Sequence, residues 1–517
     1  MKTTNYLFAI FFLTFSNYLI GQTELLDPSF DTDGMVTTDL GGDVDLIYSV
    51  AIQSDSKIVA IGTAKIGGVN RFGLVRYNID GSLDASFGTG GIVTTSIGAQ
   101  DGATAVAIQS DGKIVAGGYT FGATLDFAVV RYNTDGSLDL TFDGDGKAIA
   151  GVGTGNDLAR TMLIQPDGKI VLAGKSIVGS VGNFGLARFN SDGSLDNTFD
   201  SDGVLTTALG TNSADAADAL SVKIQSNGKI VVTGDFTPNN GPDGLPLVRY
   251  NTDGSLDNTF GTGGKIITYI GRSFNNGKAM AIQPDGQIVV ASESDTINSP
   301  TQDDFVVLRY NTDGTPDNTF GANGITISDL YGGDDRPAAM LLQPDGKIIV
   351  AGFTWLPSEF YPDFTVARYL SNGTLDNTFG TGGSVWTDMG TGTNTSSAVA
   401  LAPDGKIVVG GAVNAGLATS DFAIARYNAD LSTKVNEINS ASAIQIYPNP
   451  GTGKFQLKIN DLKSSKDAKL EIYNSIGAIV LKQQITNEIN LSNSPKGIYF
   501  VKIIDGSTIF SSKIVVQ

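Results

Sequence analysis

The sequence contains no cysteine and no histidine. Disulfides, thiolate zinc sites, cysteine-linked haem, cysteine nucleophiles and every serine–histidine–aspartate triad are thereby excluded. The thiol that a lipoprotein anchor requires is missing as well. Positive charge is scarce: 34 Lys and Arg stand against 53 Asp and Glu, a net charge of −19. A phosphate backbone needs a basic surface, so nucleic acid is excluded as a partner and an anionic membrane surface is disfavoured. Glutamate is rare too, with six copies, so the acid is nearly all aspartate. Aspartate forms turns by bonding to its own backbone. A turn-rich chain is the plain reading of this charge, and a set of calcium sites the sharper one. With 41% hydrophobic residues, 17% charged and 65 Gly, the composition is that of a globular protein of many strands and tight turns.

Long apolar runs are absent beyond the N-terminus. There, Lys2 precedes an apolar stretch from Tyr6 to Ile20 broken by Thr14, Ser16 and Asn17, and Gly21 offers a small residue for cleavage. Residues 1–21 are expected to be an export signal cut before Gln22, too short and interrupted to span a membrane. The mature chain is expected to carry no transmembrane segment.

What is present is a repeat. One phrase first reads Ile52-Gln53-Ser54-Asp55-Ser56-Lys57-Ile58-Val59 and returns at 108–115, 164–171, 224–231, 282–289, 342–349 and 401–408, at spacings of 56 to 60 residues. A second phrase, Arg76-Tyr77-Asn78-Ile79-Asp80-Gly81-Ser82-Leu83-Asp84, follows in each unit, and then Phe87-Gly88-Thr89-Gly90-Gly91 with a Val/Thr run. Each unit reads as four strands, the first two joined by an Asp-Gly turn that supplies a positive φ. Seven four-stranded units are the pattern of propeller blades. The seventh unit stops near Asp430 without its third phrase, and the mature chain begins with that piece, Leu26-Asp27-Pro28-Ser29-Phe30-Asp31-Thr32-Asp33-Gly34. The N-terminal strand near Val36 to Thr38 is therefore expected to complete the last blade against 422–427 and close the ring, hiding both sheet edges. These paired phrases resemble the delta-60 repeat, a β-propeller family without an assigned activity, over about residues 26–430.

Seven Asp recur (Asp27, Asp84, Asp139, Asp196, Asp257, Asp317, Asp376), as do seven Arg (Arg76, Arg131, Arg188, Arg249, Arg309, Arg368, Arg426). A structural Arg–Asp pair in each unit is expected. Seven Phe (Phe30, Phe87, Phe142, Phe199, Phe260, Phe320, Phe379) are expected to fill the gaps between blades. Three units carry an oxygen-rich turn that resembles a calcium loop: Asp31 and Asp33, Asp143 and Asp145, Asp200 and Asp202. Four others place Gly-Thr-Gly-Gly or Gly-Ala-Asn-Gly there. Glycine replaces aspartate in a left-handed turn but not as a ligand, so turn chemistry accounts for all seven and calcium for three at most. No cofactor is expected, and these six carboxylates are the calcium candidates.

The turns joining strands one–two and three–four carry the repeated phrases. Those joining two–three and four–one vary, and a surface that differs from blade to blade is the better place for binding. Its most distinctive loop holds Trp355, Glu359, Phe360 and Tyr361, whose rings could stack on a sugar or grip a peptide. Asp303, Asp304, Asp334 and Asp335 are expected on the same rim. No spacing singles out a catalytic pair, so no catalytic residue is assigned. The leading reading is a non-catalytic module that binds glycan or protein. The alternative is a glycoside hydrolase or lyase using Asp/Glu on that face, and a third is a structural surface component.

Composition shifts after Asp430. Residues 431–443 read as a linker, and 444–517 as a small β-sandwich of about seven short strands. This segment resembles the C-terminal sorting domain of the type IX secretion system of Bacteroidota, through Tyr447-Pro448-Asn449-Pro450, Gly497-Ile498-Tyr499 and Lys513-Ile514-Val515-Val516. The resemblance implies export through that machinery as partner, usual removal of the domain, and release or surface attachment. The expected organisation is thus a signal segment (1–21), a seven-bladed propeller (22–430), a linker (431–443) and a sorting domain (444–517).

Overall fold

In the computed structural model every named element is a strand. It describes residues 25–429 apart from 213, 272–274, 297–298, 358, 391 and 416–418, and residues 444–517 apart from 460–467, 475–478 and 506–507. The expected signal segment 1–21 and linker 431–443 lie outside the described residues.

The repeated turn does what its chemistry requires. Gly112, Gly168, Gly286 and Gly346 sit at φ from 84° to 87°, and Ser56, standing where these copies have glycine, takes φ 67°. Each hairpin begins a four-stranded antiparallel meander. The first blade comprises Asp45–Ile52, Ile58–Ile66, Val69–Tyr77 and Ile92–Thr95, and five further blades repeat it. The seventh is assembled from both ends of the propeller: Thr395–Leu401, Ile407–Val413 and Asp421–Tyr427 are completed by Met35–Thr38, in register from Met35↔Ala425 to Thr38↔Phe422. First and seventh blades share one core that includes Phe30, Ile47, Val50, Val408, Phe422 and Ile424, and Ser397 Oγ donates to the Ile47 carbonyl. The ring is closed.

Apolar side chains of adjacent sheets face one another, so the core lies between blades. Each of the seven blade junctions has its own buried cluster. The recurrent charged residues stitch these junctions. Every one of the seven Arg meets its Asp at 2.6–2.8 Å. Each guanidinium lies 4.4–4.8 Å from the centroid of the recurrent Phe, a cation–π contact. A further guanidinium nitrogen donates to a backbone carbonyl of the next blade, as Arg131 does to Ser191 at 2.5 Å. In six blades a Lys shares the Asp, as Lys113 does with Asp139 at 2.9 Å. In the fifth, Gln287 takes its place on Asp317, also at 2.9 Å. A second link is a strand-three tyrosine bonded to the last residue of the preceding blade: Tyr77 to Thr38 and Tyr132 to Thr95, each at 2.8 Å.

Residues 444–517 form a separate compact unit. A three-stranded sheet (Ile444–Tyr447, Lys454–Ile459, Glu488–Asn490) and a four-stranded sheet (Ile479–Gln484, Lys469–Tyr473, Gly497–Asp505, Thr508–Val516) enclose a core including Phe455, Ile472, Tyr499 and Ile514. The Tyr447-Pro448-Asn449-Pro450 segment holds the last strand. Asn449 Nδ2 donates to the Lys513 carbonyl at 2.7 Å, and Asn449 Oδ1 accepts from Val515 N at 3.0 Å. Tyr499 is buried and donates to the Pro495 carbonyl at 2.6 Å. Gly497 opens its strand opposite Val516, and Lys513 pairs with Phe500. Asn449, Gly497 and Lys513 thus meet along the last strand of the sandwich. Among the described residues no helix is long and apolar enough to cross a membrane.

Candidate binding site at the propeller axis

The innermost strand of every blade carries one irregularity. Its pairing with strand two slips by one residue at the same place in all seven. The residues left over are Tyr48, Thr104, Arg160, Leu220, Lys278, Ala338 and Ser397. A β-bulge re-aims the extra side chain, and here all seven point at the axis. They line one cavity of about 410 Å³, together with Tyr119, Glu293, Arg336, Pro337 and Phe353. The volume falls in the range of small-ligand sites, about 300–1,000 Å³. The cavity opens toward the variable loops, because Glu293 and Phe353 sit on the parts of strand two that approach the two–three loops. Larger clefts, of about 660 and 630 Å³, lie between blades on the opposite face. One is lined by Gln165, Lys169, Arg188 and Gln225, the other by Gln53, Lys57, Arg76 and Gln109. Those are the same phrase positions in different blades, so these clefts are features of the repeat. The axial cavity is where the repeats differ.

Its charges are paired. Arg160 contacts Asp218 at 3.0 Å, Lys278 contacts Glu293 at 2.8 Å, and Arg336 contacts Asp303 at 3.3 Å. Asp218 faces Asp235 across strands one and two of the fourth blade. Burial, partly offset by Arg160 and reinforced by Asp235, pushes Asp218 up to about 6. Burial, with Glu293, Asp334 and Asp295 added and Arg336 opposing, pushes Asp303 up to about 6 as well.

The residues singled out from sequence fall in three places. Asp303, Asp334 and Trp355 gather around Arg336: Asp334 lies 3.8 Å from it, and its guanidinium is 5.2 Å from the Trp355 ring, which packs edge-on against Phe353. Glu359, Phe360 and Tyr361 lie on the two–three loop, with Phe360 93% exposed. Asp303, Asp304 and Asp335, expected on the open rim, are instead buried. Neighbouring residues of a strand face opposite ways, so Asp304 points away from Asp303 and toward the seam between blades. Asp335 accepts from Thr354 Oγ1 at 2.6 Å and Leu330 N at 2.7 Å. It clamps the four–one loop, as Asp101, Asp157 and Asn275 do in other blades. The calcium candidates lie in turns. Asp31, Asp143 and Asp200 hold φ of 44° to 49°, where Gly88, Gly261 and Gly380 hold 53° to 55°. Asp33, Asp145 and Asp202 accept from the backbone N–H two residues on.

Asp335 also carries a pH prediction. Burial raises it, its two hydrogen bonds oppose, and Asp329 and Asp304 add to the rise, from 3.8 to about 7. Between those values the folded state holds a proton that the unfolded chain has lost. This group's contribution to stability therefore falls as pH rises and is least favourable above 7. Asp335→Asn is expected to raise Tm at pH 8 and by less at pH 5. The sixth–seventh junction already uses this solution, since Asn394 Nδ2 donates to Asp363 at 2.7 Å. A Tm difference independent of pH would contradict it.

The seven units match a family model described as a domain of unknown function (DUF5122) beta-propeller, at 53–87, 109–142, 165–199, 225–260, 283–320, 343–379 and 402–433. Residues 445–517 match the secretion system C-terminal sorting domain. A search of the curated proteins finds no match. Among solved structures the chain is similar to the polysaccharide lyase Uly1, at 13% identity and a TM-score of 0.47, over 76% of this chain and 90% of that one. It is similar to a PL25 ulvan lyase bound to -[GlcA(1-4)Rha3S]-, at 12% and 0.43, over 77% and 96%. It is also similar to a virginiamycin B lyase from Staphylococcus aureus, at 13% and 0.37, over 76% and 98%. The sorting domain directs export through the type IX system to the cell surface or the medium. The chain belongs to the β-propellers of the DUF5122 family, built from seven repeats and joined to a secretion system C-terminal sorting domain.

Proposed function

We propose that the propeller is a non-catalytic binding module that takes the end of an extracellular glycan into the axial funnel. One observation carries this reading. Each repeat has a position where its side chain is turned to the axis, and there the seven copies carry seven different residues: Tyr, Thr, Arg, Leu, Lys, Ala and Ser. A scaffold held constant around a variable lining is the form of a recognition site. The rings of Tyr48, Tyr119 and Phe353 offer flat apolar surface, and the paired charges offer hydrogen bonds to hydroxyls. On a glycan array followed by calorimetry, the propeller is expected to bind without turnover. Tyr48→Ala and Tyr119→Ala are each expected to weaken binding by about tenfold, the scale of a lost stacking or hydrogen-bonding contact. Leu140→Ala, at a site 66% exposed on the opposite face, should leave it unchanged. Binding insensitive to both tyrosines would reject the funnel.

A hydrolase or lyase is the second reading, favoured by the facing carboxyls of Asp218 and Asp235, one of them held near neutrality. Turnover on a polysaccharide panel that disappears in Asp218→Asn would establish it in place of the binder.

A further inference from the structure

We infer that the glycan end taken by the funnel is acidic, a sugar bearing carboxylate or sulfate, held by Arg160, Lys278 and Arg336. This rests on the glycan-binding reading above and adds the charge of the ligand. The argument begins with where the protein spends its few cations. Seven Arg and six Lys are committed to the framework aspartates at the blade junctions. Of those left over, three from three different blades converge on a single cavity. In a chain of net charge −19, they put three cationic side chains and one carboxylate, Glu293, on the wall of that cavity, and a cleft with low-dielectric walls concentrates the field of the charges that line it.

The pairing of these cations does not cancel the effect, because each pair is oriented. The cationic side chains are 37%, 27% and 41% exposed, against 13%, 7% and 8% for Asp218, Glu293 and Asp303. Asp218 and Asp303 stand behind and the cations face the cavity; Glu293 alone of the three acids reaches the lining, and Asp334, 32% exposed and 3.8 Å from Arg336, lies outside it. A carboxylate behind a guanidinium fixes the direction in which its remaining N–H groups point. The Arg336 guanidinium lies beside Trp355. Planar N–H donors match carboxylate and sulfate oxygens, and Tyr48, Tyr119 and Phe353 supply surfaces for the ring that carries them.

The test compares two probes that differ only in charge: a tetrameric uronate oligosaccharide, and the same oligosaccharide with its carboxyls reduced to alcohols. Titrated into the full chain, the acidic form is expected to bind at least about tenfold more tightly. That advantage should shrink between 50 and 500 mM salt, a readout that needs no variant. It should also disappear in the Arg160→Gln/Arg336→Gln double variant, whose Tm reports that the ring is intact. Equal binding of both oligosaccharides would overturn the acidic ligand and leave the glycan site standing. Binding of neither, with an empty glycan array, would overturn the glycan site itself. An acidic peptide of equal charge that binds as well as the uronate would overturn recognition of a sugar.

Discussion

Asp27→Ala is expected to lower the stability of the propeller by roughly 3–5 kcal/mol, the cost of breaking a buried ion pair from one side. Asp27 is 4% exposed and accepts from Arg426 Nε at 2.8 Å and from Lys406 at 2.8 Å. Burial alone would raise its pKa. Bonds from Lys406 and Ser29 and the charge of Arg426 reverse this and hold it well below the ordinary carboxylate range. Alanine would leave the buried Arg426 guanidinium without a counterion, and Lys406 with only the exposed Asp404 at 3.5 Å, at the one junction where the sheet is assembled from distant parts of the chain. Opening there would expose strand edges that the closed ring hides. Denaturant unfolding followed by fluorescence measures the loss. Asp317→Ala is the internal comparison: Gln287 replaces the lysine in that blade, so only Arg309 is orphaned and the loss should be smaller. Equal stabilities for the parent and Asp27→Ala would mean that the N-terminal segment does not hold the ring closed.

Phe199→Ala is expected to cost a similar amount, about 3–5 kcal/mol for a large side chain removed from a core. Phe199 has no exposed surface and belongs to the cluster that joins the third and fourth blades. The Arg188 guanidinium lies 4.5 Å from its ring centroid, so the truncation also removes a cation–π contact of about 0.5–2 kcal/mol. The backbone of the next blade fits against the same ring, since a Cβ built on Gly254 would come within 3.1 Å of Phe199 Cδ2. Neither face of the gap can collapse into it without moving a blade. Leu140→Ala, well exposed, should stay within about 0.5 kcal/mol. A Phe199→Ala protein as stable as its parent would show that the recurrent aromatics are not what fills the junctions.

Much of this architecture was legible from residue spacing alone. The blade count follows from the seven phrases. Closure follows from the missing third phrase of the last unit and its presence at residues 26–34, and strand pairing places Thr38 opposite Phe422. The Arg–Asp pairs were legible because both partners recur at a fixed offset of eight residues. Other couplings have partners too far apart to notice. Tyr132 bonds to Thr95, and in the next blade the equivalent pair is Phe189 and Ala150, so the hydroxyl and its acceptor are absent together.

The axial funnel lay in plain view and was still missed. Tyr48, Thr104 and Arg160 each sit five residues before the glutamine of the repeated phrase, a variable position inside a constant one. Strand alternation would aim such a residue at a neighbouring blade. Only the bulge turns it to the axis, and no residue type common to the seven copies marks the bulge: Gly277 and Pro337 flank it in two blades, Ile47 and Ala159 in two others. The rim acids illustrate the same limit: Asp303 and Asp304 are adjacent in sequence, yet one meets Arg336 and the other is turned to the seam.

By itself the sequence determined the repeat, the turns, the closing strand and the sorting module, because all of these are written in short-range pattern and fixed period. The tertiary structure alone decided which side chains meet at the axis. Seven residues lying 56 to 60 positions apart become neighbours only through the rotation from blade to blade and a one-residue slip in pairing, and neither leaves a mark on local composition.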